Sequence, residues 1–320
     1  MSGPGVVGTV AQVAAVAAGA PALVGAMRQV RARLEGRAGA GALQPYRDLR
    51  KLLGKQQLVP EGTTVIFAAA PAAIAGTTLV IASIVPLATL ASPMDQAGDL
   101  FAVVGLLLLG TVALILAGLD TGTPFGGMGA SREATIAALV EPTILLAVFA
   151  LSVPAKSSNL AVIVANTVRH PGQVLSPAGA LAFAALVVVI VAETGRLPVD
   201  NPATHLELTM VHEAMVLEYS GPKLAVVEWG AAMRLAVLLG VLANLFVPEG
   251  IAGTHAGVAG TLLGIAAITA KIAVAGGLLA AGEVFVAKIR LFRVPELLAG
   301  SFLLGVLAVT ASYFLGTRPA

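Results

Sequence analysis

Long runs of apolar residues divide this sequence, and they limit its fold more than any other feature. A helix of about 20 apolar residues crosses the roughly 30 Å hydrocarbon core of a bilayer. Lipid admits only helices and closed barrels as spanning structures, because unpaired backbone groups are too costly there. The runs lack the alternation of apolar and polar residues that barrel strands require. The sequence therefore predicts an all-α, polytopic membrane protein.

The apolar runs predict about eight transmembrane helices in a single integral membrane domain that covers residues 1–320. The predicted spans are residues 5–27, 64–91, 99–119, 133–153, 177–194, 223–247, 257–282 and 296–316. The first run lacks the basic start of a signal peptide, so we expect a retained helix. Only 11% of the residues are charged, where a soluble domain carries about a quarter. We therefore expect no soluble domain.

Basic residues are concentrated in alternate loops. The loop at 28–63 holds eight of them, whereas 92–98 and 248–256 hold none. If alternate loops beginning with 28–63 face the cytoplasm, that side carries 14 of the 19 basic residues. The positive-inside rule then predicts that both termini lie outside. The two longest cytoplasmic loops would be 28–63 and 195–222.

Several ionisable residues lie within the predicted spans, where they are costly and suggest function. Glu141 and Lys271 have apolar flanks on both sides. Pro142 frees a backbone carbonyl one turn before it, where a kink and a water molecule could form. Glu228 and Arg234 lie six residues apart, so they face different sides of one helix and must pair, if at all, with other helices. The structural alternative is that such residues form ion pairs or snorkel.

The stretch 193–222 is too polar to face lipid and too apolar for a free linker. After Pro202 the pattern predicts one helix. Its titratable residues at helical spacing are His205, Glu207, His212, Glu213 and Glu218. Carboxylates and imidazoles around internal water can pass protons near neutral pH. The alternative is that these carboxylates form salt bridges with a partner subunit.

Other motifs give weak or negative signals. Val216 stands where a zincin helix beginning at His212 would need its second ligand. The glycine-rich stretch 121–130 has no Walker lysine, so we expect a tight turn. The chain has no cysteine and therefore cannot ligate an iron–sulfur cluster through thiolates. The basic loop 28–63 is expected to contact anionic lipid or a peripheral subunit rather than nucleic acid.

Three motifs resemble a known family over nearly the whole chain. They are PYRDLRKLLGKQ at 45–56, AGLDTGTPFGGMGASRE at 117–133 and RLPVDNPATHLELTMVHEAMVLEYSGP at 196–222. This pattern resembles the complex I subunit 1 family, and within it the branch found in formate hydrogenlyases and group 4 nickel–iron hydrogenases. Residues 203–205 depart from the quinone-binding branch, which is acidic there. That departure puts quinone binding in doubt.

The resemblance implies an eight-helix, non-catalytic subunit in the plasma membrane of a bacterium or archaeon. Such a subunit docks a peripheral redox arm and couples it to proton translocation. The implied partners are the hydrogenase large and small subunits, an iron–sulfur subunit and antiporter-like membrane subunits. The nickel–iron centre and the iron–sulfur clusters would belong to these partners, so no cofactor is expected in this chain.

The sequence and the resemblance together nominate two groups of residues. The predicted proton relay consists of Glu141, Glu193, Glu207, Glu213, Glu218 and Lys271. The predicted docking residues are Arg47, Asp48, Arg50, Lys51, Arg196 and Asp200. One alternative is the quinone-chamber subunit of a respiratory dehydrogenase, which needs a narrow apolar chamber beneath 28–63. Another is a stand-alone ion transporter.

Overall fold

The computed structural model describes residues 3–90, 92, 94–200, 210–254, 256–287, 289 and 293–316. These residues form eleven α-helices. The helices are α1 (Gly3–Leu34), α2 (Gln44–Leu53), α3 (Val65–Ile84), α4 (Leu100–Asp120), α5 (Pro124–Ala155), α6 (Leu160–Arg169), α7 (Pro177–Glu193), α8 (His212–Val216), α9 (Gly221–Phe246), α10 (Val258–Phe285) and α11 (Val294–Gly316). The described residues include no β-strand beyond two isolated bridges, so the all-α prediction is confirmed.

Seven helices are long and apolar enough to cross a bilayer, namely α1, α3, α4, α5, α9, α10 and α11. The remaining predicted span, 177–194, corresponds to α7, which is apolar but has only 17 residues. At 1.5 Å per residue, α7 extends about 25 Å and falls just short of the hydrocarbon thickness. The chain is thus a multi-pass membrane protein. Two short helices, α2 and α6, lie in segments that we predicted as loops.

Short polar side chains determine where many of these helices begin. Each accepts a hydrogen bond from a backbone N–H in the first turn, which has no partner inside the helix. These N-cap residues are Thr64, Asp99, Thr123, Asn159 and Ser176. Thr123 and Pro124 start α5 only four residues after α4 ends. Only residues 121–123 form the tight turn expected from the sequence, whereas the rest of the glycine-rich stretch, 124–130, forms the first turns of α5.

The single helix predicted after Pro202 is wrong for the described part of that stretch. Helix α8 has five residues, and the chain turns before α9 begins at Gly221. Pro222 disfavours helical backbone at Gly221, which adopts a φ of 54°. Tyr219 is also fixed by a hydrogen bond from its hydroxyl to the carbonyl of Phe67. His205 and Glu207 lie outside the described residues.

The loops next to the basic segment meet at one end of the bundle, which we call the basic end. The Asp120 carboxylate accepts a hydrogen bond of 2.7 Å from the N–H of Thr64. Arg132 reaches the carbonyl of Met210 at 3.0 Å. The first contact joins the loop after α2 to the end of α4, and the second joins α5 to the segment before α8. At the opposite end, the N–H of Leu90 donates to the carbonyl of Ala252.

Helix packing leaves the functional residues in the centre of the bundle. Helix α5 packs against α4, α7 and α11, while α9 packs against α1, α3 and α10. Helix α7 also contacts α9, which closes the space between the two groups. Side chains of α4, α5, α7 and α9 therefore meet at one place.

Candidate functional site

An ion pair between two helices forms the centre of the site. Arg234 on α9 donates from Nη2 to Oε1 of Glu193, the last residue of α7. The same Arg234 nitrogen donates to the carbonyl of Leu107 at 2.9 Å and to the hydroxyl of Thr111 at 2.7 Å. The side chains of Arg234 and Glu193 are only 13% and 2% exposed. The expectation that Arg234 pairs with another helix is confirmed.

Glu141 lies beside this ion pair but has no protein donor. It is buried on α5, and neither carboxylate oxygen forms a hydrogen bond with the described residues. The Nε atom of Arg234 is also without a partner among those residues. Glu193 and Arg234 both act on Glu141 electrostatically. A buried carboxylate in this condition is stabilised by taking up a proton or by a nearby cation.

Glu133 is a further member of the cluster that we did not select from the sequence. It is half-buried on α5 and acts electrostatically on Glu141. We had assigned position 133 to the start of a span, where a carboxylate is unremarkable. Because α5 begins at Pro124, Glu133 lies more than two turns inside the helix. The sequence does contain a feature that points to Glu133, because the family motif at 117–133 ends on this residue.

A cavity of about 300 Å³ lies next to this cluster at the basic end. Helices α1, α2, α8, α9 and α10 contribute to its wall, together with residues 194–200. Its titratable and charged lining residues are Arg28, Arg31, Asp48, Arg196, Asp200, His212, Glu213, Glu228 and Glu283. Thr194 follows Glu193 directly, so the cavity approaches the ion pair. Among the described residues, no group of three His, Cys, Asp or Glu residues could hold a metal ion.

Two titratable residues of α8 line this cavity. Desolvation lowers the pKa of His212, and the nearby Asp200 carboxylate opposes that shift. Desolvation raises the pKa of Glu213, and the neighbouring carboxylate of Glu228 raises it further. Desolvation therefore shifts the pKa of each group towards its neutral form, although Glu213 is still exposed at the cavity surface.

Two residues predicted to dock a partner subunit are internal. Asp200 is 2% exposed, and its carboxylate accepts hydrogen bonds from the backbone N–H groups of Val211 and His212. Arg196 forms an ion pair of 2.9 Å with Glu283, whose side chain is 6% exposed. The geometry of Asp200 and Arg196 supports a structural role, not docking.

The other predicted docking residues lie on α2 at the basic end. Arg47, Arg50 and Lys51 are exposed. Asp48 is half-buried, where it accepts a hydrogen bond from Gln44. Docking therefore stays a prediction for the three basic residues of α2.

Lys271 and Glu218 do not join the cluster around Arg234. The Nζ atom of Lys271 donates to Oδ1 of Asn244 at 3.0 Å, and Asn244 in turn donates to the carbonyls of Pro86 and Leu87. This second polar group lies towards the opposite end of the bundle. Glu218 is half-buried in the turn after α8 and is not part of the cavity wall.

One region between the ion pair and the opposite end is aliphatic. A small cavity of about 20 Å³ is lined only by aliphatic side chains of six helices. Leu107 and Ile144 line it on the side of the cluster, and Leu100 and Leu160 line it towards the opposite end. This cavity therefore offers no polar continuation from the cluster towards the opposite end.

The sequence matches the NADH dehydrogenase family over residues 7–313. It is 35% identical over 283 residues to formate hydrogenlyase subunit 4 of Escherichia coli, covering 88% of this chain and 91% of that protein. It is 36% identical over 236 residues to hydrogenase-4 component C of Escherichia coli, covering 72% of each. Identity to NADH-quinone oxidoreductase subunit 8 of Rhodothermus marinus is 29% over 240 residues, covering 71% of this chain and 68% of that protein.

The fold is similar to a chain in the structure of the membrane-bound sulfane sulfur reductase, an archaeal respiratory membrane complex. The TM-score is 0.81 at 18% identity, covering 96% of this chain and 98% of that chain. This likeness supports the fold alone, whereas the sequence matches extend over most of the chain. The protein therefore belongs to the NADH dehydrogenase subunit 1 family of membrane proteins.

Proposed function

We propose that this protein is the membrane subunit of a formate hydrogenlyase or group 4 nickel–iron hydrogenase complex. It docks the peripheral redox arm and passes protons between the basic end and the membrane interior. Hydrogenase chemistry would take place in partner subunits that hold the nickel–iron centre and the iron–sulfur clusters. The positive-inside rule supports a cytoplasmic basic end, with both termini outside.

The observation that carries the relay is the position of Glu141. Its carboxylate is buried without a donor among the described residues, next to the Arg234–Glu193 ion pair. When Glu141 takes up a proton, its uncompensated negative charge is removed. When it releases the proton, the negative charge of the carboxylate can be balanced by the guanidinium of Arg234. The adjacent cavity supplies a polar route from the basic end, where Glu213 can exchange protons with water.

Docking is supported by the surface of α2. Arg47, Arg50 and Lys51 expose three positive charges beside the cavity, while the apolar face of α2 packs against α1 and α9. An amphipathic helix fixed in this way presents its charges to whatever lies against the basic end. A partner with an acidic surface would be steered there.

The quinone-chamber alternative receives less support. A quinone head and tail need a narrow, mostly apolar chamber. The cavity beneath the basic loop carries nine charged or titratable residues in its lining, beside apolar ones such as Val24, Leu49 and Val227. The two hydrogenase relatives also share 35% and 36% identity with this chain, compared with 30% for the NADH-quinone oxidoreductase subunit of Syntrophobacter fumaroxidans and 29% for that of Rhodothermus marinus.

Replacing Glu141 by Gln tests the relay. In the complete complex in vesicles, we expect proton translocation to fall at least about tenfold, because Gln cannot bind and release a proton. Hydrogen production with an artificial electron donor should remain. The matched control is Glu296→Gln, which changes an exposed carboxylate in the first turn of α11. Unchanged proton translocation in Glu141→Gln would contradict the relay.

Charge reversal on α2 tests docking separately. The triple variant Arg47→Glu, Arg50→Glu and Lys51→Glu should release peripheral subunits from washed membranes, and more so at high salt. The control is Arg169→Glu, which reverses an exposed charge at the opposite end. Equal retention of peripheral subunits in both variants would exclude docking on α2. Ion transport by the purified subunit alone would favour the stand-alone transporter.

A further inference from the structure

Within the described part of the chain, four prolines lie inside membrane-spanning helices: Pro21 in α1, Pro71 in α3, and Pro142 and Pro154 in α5. A proline has no N–H, so each leaves the carbonyl four residues earlier without its helical donor. In lipid such a free carbonyl is costly, and a neighbouring helix, a Ser or Thr side chain, an ordered water or a local change in helix hydrogen bonding replaces the lost donor. The donors that replace the lost N–H can therefore be compared at the four prolines.

Three of the four free carbonyls receive a side-chain donor from another part of this chain. The donors are Trp229 Nε1 to the Ala17 carbonyl at 2.8 Å, the Tyr219 hydroxyl to Phe67 at 2.8 Å, and the Ser312 hydroxyl to Ala150 at 2.7 Å. Each donor sits on or beside a helix that packs against the proline-containing helix. At these three prolines, a side chain of the same protein thus replaces the helical N–H donor that the proline lacks.

The fourth free carbonyl, that of Ala138, has no such donor. No side chain among the described residues donates to it, although Pro142 removes its helical partner. Ala138 is itself exposed, as are Ala134, Thr135 and Phe149 on the same side of α5. We call this set, together with Pro142, the α5 face. The Thr135 hydroxyl donates to the carbonyl of Ser131 instead.

The depth of Ala138 limits what can cover it. It lies fourteen residues into the 32-residue helix α5, which corresponds to roughly 21 Å along the axis. Acyl chains carry no hydrogen-bond donor, and lipid headgroups lie at the membrane surface. Small side chains at Ala134 and Ala138 allow another helix to approach the backbone closely.

We propose that the α5 face is covered by a transmembrane helix of a partner membrane subunit, which donates a hydrogen bond to the carbonyl of Ala138. The inference rests on the proposed function only in requiring a membrane-embedded partner. The partner helix carries a donor such as Ser, Thr, Tyr or Trp at this depth. It would supply the compensation that this chain supplies for its three other prolines.

The chain contains no cysteine, so single cysteines can probe the α5 face. In the complex purified from native membranes, we expect Ala138→Cys to react with a lipid-soluble maleimide at least about tenfold more slowly than in the separated subunit. Leu278→Cys on α10, a position 70% exposed, serves as the control for reagent access. Equal reaction of Ala138→Cys before and after separation would overturn the proposal.

A photo-reactive residue at Thr135 identifies the occupant. An adduct with a different membrane subunit supports the proposal. Adducts formed only with lipid, or with a second copy of this chain, would overturn it. Neither labelling nor crosslinking depends on proton transport, so a failure of the relay at Glu141 would leave these results interpretable.

Pro142→Ala tests the hydrogen bond itself, because Ala restores a helical donor to the Ala138 carbonyl. Since a hydrogen bond contributes about 0.5–1.5 kcal/mol net, we expect roughly two- to tenfold weaker retention of the partner in detergent. Pro154→Ala is the matched control, because Ser312 of the same chain already serves that carbonyl. Unchanged retention in Pro142→Ala, or equal loss in Pro154→Ala, would overturn the proposal.

Discussion

Arg234 on α9 and Glu193 on α7 form an ion pair that is almost completely enclosed, with side-chain exposures of 13% and 2%. Removing one partner of such a pair leaves a buried charge without compensation, which costs about 3–5 kcal/mol. Arg234→Met should therefore lower the thermal midpoint of the complex and the amount of assembled subunit. Differential scanning fluorimetry and membrane yield measure both effects.

The double variant Arg234→Met with Glu193→Gln separates stability from function. With both charges gone, we expect assembly to recover most of what the single variant lost. Proton translocation should stay low, because no cation remains beside Glu141. If the double variant is no more stable than Arg234→Met alone, the pair does not hold the two helices together as described.

Asp200 holds the start of α8 through the backbone N–H groups of Val211 and His212. Asp200→Ala removes Oδ2, the acceptor of both hydrogen bonds, and should destabilise this segment by about 0.5–2 kcal/mol. Hydrogen–deuterium exchange should become faster in residues 211–216. Asp200→Asn keeps one side-chain oxygen as an acceptor. Its exchange rate in residues 211–216 should therefore lie between those of Asp200→Ala and the wild type. Unchanged exchange in Asp200→Ala would contradict the capping role.

The raised pKa of Glu213 predicts a pH-dependent effect on stability. Because the folded protein raises this pKa from its usual value of 4.5, its contribution to stability is present at lower pH and is lost as pH rises through the raised value. Glu228 and Asp200 strengthen the effect, while Arg28 opposes it. The melting temperature of Glu213→Gln should therefore exceed that of wild type increasingly as pH rises from 4.5 through the raised pKa. A difference that does not vary with pH would refute this linkage.

The aliphatic region beyond the ion pair should seal the bundle against proton leak. Ile144→Asn introduces a polar side chain into the small cavity between Leu107 and Leu160. We expect passive proton leak through vesicles containing the complex to rise several-fold, because a polar wall admits water. Ile144→Val keeps the wall aliphatic and should behave like wild type. No increase in leak with Asn would indicate that the seal lies elsewhere.

Most of the fold could be predicted from the sequence, because lipid leaves few structures for a long apolar run. The short α7 was found because Pro177 and Glu193 bound an uninterrupted apolar segment. The turn between α8 and α9 was missed, because Tyr219 and Phe67 lie far apart in sequence. Their hydrogen bond can only be known once α3 and α9 are packed together.

The candidate site was predicted only in part. Glu141, Glu193 and Glu213 were selected because carboxylates at those positions are unusual beside a membrane. Lys271 was selected for the same reason, yet it belongs to a separate polar group with Asn244. Local sequence indicates that a charge is buried, but only the helix packing decides which charges meet. The packing of α7 against α9 is what pairs Arg234 with Glu193 and places both beside Glu141.

The relay is tested most directly by infrared difference spectroscopy of the assembled complex in oriented vesicles. Deuterated buffer is supplied only on the side of the basic end. We expect a carboxylic acid band that shifts on deuteration during turnover and that disappears in Glu141→Gln. A band that persists in Glu141→Gln, or one that exchanges only from the opposite side, would contradict proton transfer from the basic end to Glu141.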